Sequence, residues 1–129
     1  MEPALNHPAV NTKIEDLLGN KFLKKRSNLS EKDRETRFIT EECDKSEFAN
    51  CKFVLLFFSA GYCYPCHDFL QVLKDFYNEV NLETRIIEVI YVSCDKNEQE
   101  FRDTYKTMPW CSFYFNDSRH KDLAAKFNI

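Results

Sequence analysis

The chain has 129 residues, of which 43% are hydrophobic and 30% are charged, and its formal net charge is −3. This length fits one domain with a real core, and so small a charge gives no electrostatic reason to expect a nucleic-acid or membrane-surface partner. No apolar stretch approaches the length of a membrane span, so we expect no insertion into a membrane. The six cysteines are spread along the chain, which favours a reducing compartment over a disulfide scaffold.

The first half of the chain carries weak structural signals. Residues 1–12 hold two prolines and no hydrophobic periodicity, so we expect a flexible arm, and they lack the basic and apolar regions of a secretory signal. The apolar pattern that ends at Gly19 predicts one helical turn, and residues 21–25 predict an edge strand protected by its lysines. The charged residues 26–37 predict a solvated loop, and residues 40–50 predict a short, weakly helical segment.

The second half alternates clearly between two hydrophobic periods. Residues 53–58 are continuously apolar, as expected for a strand buried on both faces. A helix is predicted from about 64 to 80, because apolar residues recur there at helical steps: Phe69, Val72, Leu73, Phe76 and Val80. Four more elements follow: a strand over 86–92, a helix over 97–107, a strand over 112–115 and a helix over 119–127. This order predicts an α/β sheet with right-handed crossovers between parallel strands.

Cys63-Tyr64-Pro65-Cys66 stands at the junction of the apolar strand and the long helix. A C-x-x-C at such a junction is typical of a thiol–disulfide redox site. A thiol at a helix start lies among unpaired N–H groups at the positive end of the helix dipole, so we expect a lowered pKa for Cys63. Cys63 would attack a substrate disulfide, and Cys66 would resolve the mixed disulfide. Pro65 presets the backbone of the first helical turn and stiffens the loop.

Three neighbours of the motif have two interpretations each. His67 lies on the same helix face as Cys63 and would add positive charge when protonated, or it is an ordinary exposed residue of the first turn. Tyr62 adjoins the motif, and Trp110 is placed to reach it through the fold. Each aromatic residue either packs the redox loop or belongs to the core.

The C-x-x-C motif also occurs in two other kinds of site, for haem and for zinc. With His67 the string reads C-x-x-C-H, the attachment signature of c-type haem, but the motif follows a strand and candidates for a second axial ligand are few. A structural zinc site needs a second pair of ligands, whereas Cys94, Cys111 and His120 are scattered. We therefore expect neither haem nor metal, and we interpret Cys94 and Cys111 as small buried hydrophobes.

The stretch from Phe57 to Cys66 resembles the active-site strand and loop of tryparedoxins and nucleoredoxin-like proteins in the thioredoxin superfamily. Further similar stretches lie at 17–23, 69–77, 90–95, 108–110 and 126–129. The resemblance implies a thioredoxin-like α/β fold and a cytoplasmic oxidoreductase that reduces protein disulfides with electrons from an upstream dithiol. It implies no bound cofactor. The sequence leaves open an association with an organelle or a large assembly.

The chain departs from that family pattern within and around the motif. Tyr62 stands where the family usually has Trp, and the dipeptide between the cysteines, which begins at Tyr64, is Tyr-Pro rather than Pro-Pro. We expect the thioredoxin-like domain to span 13–129, with a charged insertion at about 26–50.

The largest departure concerns a strand that the family places beside the active-site strand. In the family, that strand begins at a cis-proline and is followed by a hairpin partner and a last helix, and no residue here matches the cis-proline because Pro109 belongs to the Trp110 segment. The domain is therefore expected to lack these elements, which would leave Phe53–Ala60 as an exposed apolar edge. We expect either a longer chain or a stable protein partner that covers this edge. An alternative function follows, that of a weakly redox-active structural subunit of a larger assembly.

Overall fold

The computed structural model describes residues 18–25 and 40–128. The expected arm at 1–12 and the expected loop at 26–37 lie outside these ranges. The elements are β1 (Phe22–Lys25), β2 (Thr40–Cys43), a short 3₁₀ helix (Lys45–Phe48), β3 (Phe53–Ser59), α1 (Tyr64–Val80), β4 (Ile87–Ser93), α2 (Glu98–Tyr105), β5 (Cys111–Ser112) and α3 (Arg119–Lys126). From β3 onward this is the predicted alternation of strands and helices.

The five strands form one mixed sheet in the order β2-β1-β5-β4-β3. β3 runs parallel to β4 in a register that extends from Phe53 opposite Ile87 to Ser59 opposite Ser93, and β4 runs parallel to β5. β1 pairs antiparallel with both β2 and β5. The helices α1 and α2 connect the parallel strands. The result is the mixed α/β, thioredoxin-like arrangement that the sequence predicted.

The prediction that residues 21–25 form an edge strand is wrong. β1 lies between β2 and β5, and Phe22 on it is fully buried. The outer strand is β2, whose polar sequence Thr-Glu-Glu-Cys was interpreted as weakly helical. Because an edge strand needs polar side chains along its free side, this composition suits the position that β2 takes. The helical prediction holds only for the 3₁₀ turn that follows.

The expectation that the apolar run at 53–58 is buried on both faces is also wrong. Phe57 is buried, whereas Phe53 is 61% exposed and the residues between them are only partly buried. Within the described ranges, β3 pairs with β4 on one side and with no strand on the other. The apolar run at 53–58 therefore forms a strand at the rim of the described sheet.

The apolar stripe of α1 is only partly buried. Leu73 packs into the core with Phe57, but Phe69, Val72 and Phe76 are each about half exposed or more. α1 packs on β3, the last strand of the described sheet. Within the described ranges, one side of the helix therefore has no strand beneath it. This leaves an apolar surface on α1, which we define as Phe69, Val72 and Phe76.

The core has two clusters of buried residues, one on each face of the sheet, and β4 contributes alternate side chains to both. The cluster on the side of α3 and the 3₁₀ helix contains Leu18, Phe22, Phe48, Ile90, Val92, Cys111, Phe113 and Leu123. The cluster under α1 and α2 contains Phe57, Leu73, Val89, Tyr91, Phe101, Tyr105, Met108 and Trp110. None of the helices in the described ranges is long and apolar enough to cross a membrane.

Candidate redox site

Cys63 and Cys66 are joined by a disulfide at the N-terminus of α1, with their Cα atoms 5.3 Å apart. The chain leaves β3, turns at Gly61, and enters α1 with Cys63 as the N-cap residue in extended backbone geometry. The Cys63 amide donates to the carbonyl of Ala60 at 3.1 Å, which closes the turn. Pro65 lies in the first helical turn, where the N–H that it lacks would have no intrahelical partner.

The start of α1 is electrostatically suited to a sulfur anion. Its first turn holds no acidic residue, and no side chain caps the free N–H groups there. Those N–H groups and the positive end of the helix dipole favour a thiolate on Cys63 once the disulfide is reduced. Both cysteine residues are half-buried.

His67 braces the turn that precedes the motif. Its Nε2 lies 2.8 Å from the carbonyl oxygen of Gly61, so the imidazole donates a hydrogen bond across the loop. The ring of Tyr64 lies 6.1 Å away, centroid to centroid. The side chain is exposed, as one of the two sequence interpretations held, yet it contacts the backbone two residues before Cys63.

The two tyrosines that flank Cys63 present their rings to solvent. Tyr64 is 80% exposed. Tyr62 is half exposed and is fixed by two contacts, a hydrogen bond from its hydroxyl to the carbonyl of Cys94 at 3.2 Å and the Lys96 ammonium 4.9 Å from its ring centroid. A molecule that approaches Cys63 would therefore meet the Tyr62 ring, whose position is fixed by its contacts, and the highly exposed Tyr64 ring.

Trp110 lies in the core beneath α1. Its ring packs edge-on against Phe57 at 6.1 Å and against Tyr77 at 5.3 Å. Trp110 also places its carbonyl 2.6 Å from the Tyr105 hydroxyl, which donates to it. Phe57, which Trp110 contacts, lies on β3, the strand that leads into residues 60–63, which we call the redox loop.

Asp95 contacts the redox loop directly, and its role was not predicted from the sequence. Oδ1 accepts hydrogen bonds from the Gly61 amide at 2.7 Å and from the Thr104 hydroxyl at 3.2 Å. Oδ2 accepts from the hydroxyls of Tyr91 and Ser93, each at 2.6 Å. An aspartate after a predicted strand is an ordinary surface residue in sequence terms. Only the parallel pairing of β3 and β4 brings it beneath Gly61.

Residues 50–129 match the family model described as thioredoxin-like. The chain belongs to this thioredoxin-like family. The predicted thioredoxin-like fold is thereby confirmed. The relatives and solved structures described next confirm the resemblance to tryparedoxins and nucleoredoxins.

Curated relatives of this thioredoxin-like chain carry the names of two groups. Tryparedoxin from Trypanosoma brucei brucei is 38% identical over 79 residues, which are 60% of this chain and 54% of the relative. Probable nucleoredoxin 1 from Arabidopsis thaliana is 33% identical over 78 residues, or 60% of this chain and 14% of the relative. Nucleoredoxin-like protein 1 from Homo sapiens is 32% identical over 98 residues, or 70% of this chain and 46% of the relative. The chain thus spans about half the length of these relatives or less.

Solved structures of tryparedoxins share the fold. Tryparedoxin II from C. fasciculata superposes with a TM-score of 0.72 at 25% identity, covering 92% of this chain and 70% of that one. Tryparedoxin from Trypanosoma brucei gives a TM-score of 0.69 at 29% identity, covering 90% of this chain and 71% of that one. Almost all of this chain therefore has a counterpart in tryparedoxins, and more than a quarter of each tryparedoxin chain has none here.

The other cysteines of the thioredoxin-like chain are free thiols. Cys111 is buried, as predicted, and its Sγ lies 3.6 Å from a carboxylate oxygen of Glu88. Cys94 is exposed, so the prediction of a buried hydrophobe is wrong there. It lies just past the end of β4, where the chain leaves the sheet at the surface. Among residues 18–25 and 40–128, no three histidine, cysteine or acidic side chains are grouped closely enough to hold a metal ion.

Proposed function

We propose that this protein is a thiol–disulfide oxidoreductase that reduces disulfides in partner proteins, with Cys63 as the nucleophile and Cys66 as the resolving thiol. The observation that carries the proposal is the Cys63–Cys66 disulfide at the start of α1, directly after the carboxyl end of a parallel strand. Family membership adds support, because the relatives are tryparedoxins and nucleoredoxins.

The reaction is a pair of thiol–disulfide exchanges. The Cys63 thiolate attacks one sulfur of the substrate disulfide, so a mixed disulfide forms and one substrate thiolate leaves. The Cys66 thiolate then attacks the Cys63 sulfur. The Cys63–Cys66 disulfide forms, the second substrate thiolate leaves, and two electrons have passed to the substrate. An upstream dithiol reverses both exchanges on the protein, so no bound cofactor is needed.

The two cysteines receive different roles from their positions. Cys63 is the N-cap residue, adjacent to the free N–H groups of the first turn, which favour a thiolate there, whereas Cys66 lies within that turn. The exposed rings of Tyr62 and Tyr64 on either side of Cys63 offer apolar area to a substrate peptide. We place the protein in the cytoplasm, where a dithiol pool keeps such a pair reduced.

The test is insulin-disulfide reduction with dithiothreitol as the electron donor. Wild-type protein is expected to accelerate insulin precipitation well above the rate with dithiothreitol alone, and Cys63→Ser should return it to that background. Cys66→Ser should instead accumulate a mixed disulfide on Cys63, which intact-mass spectrometry detects. Cys94→Ser removes an exposed thiol nearby and serves as the matched control. Turnover that survives Cys63→Ser, or an inactive wild-type protein, would show the proposal to be wrong.

A second proposal concerns the free side of β3. We infer that a stable protein partner adds an extended strand there and covers the apolar surface on α1, which would make the chain a subunit of a larger assembly. Phe53 is exposed at this rim, and Phe69 of the apolar surface contacts Phe57 on the same strand, with ring centroids 6.0 Å apart. A strand edge beside apolar side chains is a template for strand addition.

Native mass decides between occupants of that edge. The chain alone weighs 15.4 kDa. The protein isolated from its natural source is expected to run as a stoichiometric complex that Val72→Lys with Phe76→Lys dissociates. If the complex instead contains two copies of this chain, the occupant of the edge is a second copy and not a different protein. A stable, soluble monomer of 15.4 kDa at high concentration would exclude both.

A further inference from the structure

We propose that Asp95 is a positioning residue for the redox loop. Its carboxylate holds the Gly61 amide, two residues before Cys63, against β4 and α2. The inference rests on the redox role proposed above for Cys63, but its geometry and its first readout are independent of turnover.

The carboxylate of Asp95 joins three separate parts of the fold. Oδ1 accepts from the Gly61 amide of the redox loop at 2.7 Å and from the Thr104 hydroxyl of α2 at 3.2 Å. Oδ2 accepts from Tyr91 and Ser93 of β4, each at 2.6 Å. The loop is thus tied to both the strand and the helix through one side chain.

Asp95 is itself held in place, so it can fix the loop. Its backbone amide donates to the Ser93 hydroxyl at 3.0 Å. The Tyr91 hydroxyl lies between the Asp95 carboxylate and the carbonyl of Ser59, from which it is 3.1 Å away. The carboxylate therefore sits in a fixed frame of donors at the carboxyl ends of β3 and β4.

Gly61 approaches α2 so closely that there is no space for a side chain between the loop and the helix. A Cβ atom on Gly61 would lie 2.9 Å from the Thr104 hydroxyl and 3.1 Å from Cγ of Glu100, so the bare backbone of Gly61 rests on α2. The adjacent Tyr62 is held by the same chain segment, through the Cys94 carbonyl and the Lys96 ammonium. Residues 94–96 therefore contact two consecutive loop residues, Gly61 and Tyr62, and fix the position at which the chain enters α1.

The test compares two substitutions at one position. Asp95→Ala removes every acceptor, whereas Asp95→Asn keeps Oδ1 for the Gly61 amide, and its amide group can donate to hydroxyls that rotate to accept. We expect Asp95→Ala to speed hydrogen exchange of the Gly61 amide by about tenfold or more and to lower kcat/KM for insulin reduction by about tenfold. Asp95→Asn should stay within about threefold of wild type in both measurements.

The controls separate positioning from charge and from general destabilisation. Asp75→Asn removes one exposed carboxylate of α1, away from the loop, and should change neither measurement. Thr104→Val removes the hydroxyl that Asp95 Oδ1 shares with the Glu100 carbonyl, at 3.2 and 2.7 Å respectively. It should give an intermediate increase in Gly61 exchange, which provides a reading if Asp95→Ala does not fold. Equal losses in Asp95→Asn and Asp95→Ala would assign the effect to charge and overturn the proposal.

Two further outcomes also decide the matter. If Gly61 exchange is unchanged in Asp95→Ala, or if the core amides of β4 accelerate equally, the loop is not held by Asp95 and the inference fails. If wild-type protein does not reduce insulin, the proposed function fails, yet Gly61 exchange still reports whether Asp95 holds the loop.

Discussion

β3 and β4 are neighbouring parallel strands of seven residues each, and they pair in register along their whole length. Both are largely apolar, with the sequences FVLLFFS and IEVIYVS. Every residue of β4 is buried, but on β3 only Phe57 and Ser59 are. The difference comes from position, since β4 has a strand on each side and β3 has one on a single side within the described ranges. Apolar composition therefore does not distinguish a central strand from a rim strand.

At their carboxyl ends, the same two strands lead into different parts of the candidate site. β3 leads into the redox loop, and β4 leads into Asp95, which accepts from the loop amide. Parallel strands bring both ends to the same edge of a sheet, where ligands and reactive groups of α/β proteins gather. The rim strand β3 thus leads to the cysteine pair, and the buried strand β4 leads to the carboxylate that binds the loop before that pair.

The largest expected effect tests the burial difference directly. Ile87 is 3% exposed and its register partner Phe53 is 61% exposed. Ile87→Ala should lower the free energy of unfolding by about 3 kcal/mol, because it leaves a cavity in a packed site. Phe53→Ala should cost less than about 1 kcal/mol, because most of that ring already contacts water. Urea titrations measure both, and equal losses would remove the distinction between the two strands.

The second prediction concerns a charge that only the buried strand carries. Glu88 of β4 is buried; it pairs with Arg85 and accepts from the Tyr77 hydroxyl at 2.9 Å, while its partner on β3 is Val54. Arg85→Met should cost about 2 kcal/mol, because a buried carboxylate then lacks its cation. Adding Glu88→Leu to that variant should recover at least part of the loss in the same urea titration. A double variant that is less stable than the single one would contradict this account.

The third prediction is a pH dependence. Burial raises the pKa of Tyr91 well above its ordinary value of 10.0, and the hydrogen bond to Asp95 raises it further. Above pH 10 the unfolded chain loses this proton while the folded chain keeps it. Stability from this group is therefore complete below pH 10 and is lost as pH rises, by about 1.4 kcal/mol per pH unit. Because the unfolded tyrosine is only partly deprotonated near its own pKa, Tyr91→Phe should reduce the decline between pH 10 and 11 by about 1 kcal/mol.

The control for this prediction is the same pair of proteins at lower pH. Between pH 8 and 9, wild type and Tyr91→Phe should differ by a constant free energy of unfolding, since Tyr91 keeps its proton in both states there. Parallel curves over the whole range up to pH 11 would show that Tyr91 does not titrate as proposed.

The smallest expected effect is at the apolar surface on α1. Val72 is 61% exposed and Phe76 is 48% exposed. Val72→Lys with Phe76→Lys should change the unfolding free energy of the monomer by less than about 0.5 kcal/mol, because little buried area is lost. The same pair should reduce self-association at high concentration, as measured by light scattering. Leu73→Lys, which puts a charge into the core beside them, should prevent stable folding and is the matched contrast.

Local patterns predicted the elements well wherever a hydrophobic period was long. The helix predicted at 64–80 and the strand predicted at 86–92 match α1 and β4 within a residue. The position of each strand in the sheet was not predictable in the same way. β1 was expected at an edge because of its lysines, and β2, which takes the outer position instead, carries no hydrophobic alternation to reveal it.

The site was predictable to the extent that it is local. The Cys63–Cys66 pair, its strand-to-helix junction and the proline in the first turn follow from adjacent letters. Asp95 is 34 residues from Gly61, and no pattern in the sequence connects the two. The exposed face of α1 was missed for a similar reason, since helical periodicity identifies an apolar face but not whether another element covers it.

Both backbone polar groups of Gly61 are hydrogen-bonded to side chains. Asp95 accepts from its amide, and His67 donates to its carbonyl. Both contacts involve residues outside the four letters from Cys63 to Cys66. Neither hydrogen bond involves the Tyr-Pro dipeptide between the sulfurs. A substitution in that dipeptide is therefore expected to leave both hydrogen bonds of Gly61 in place.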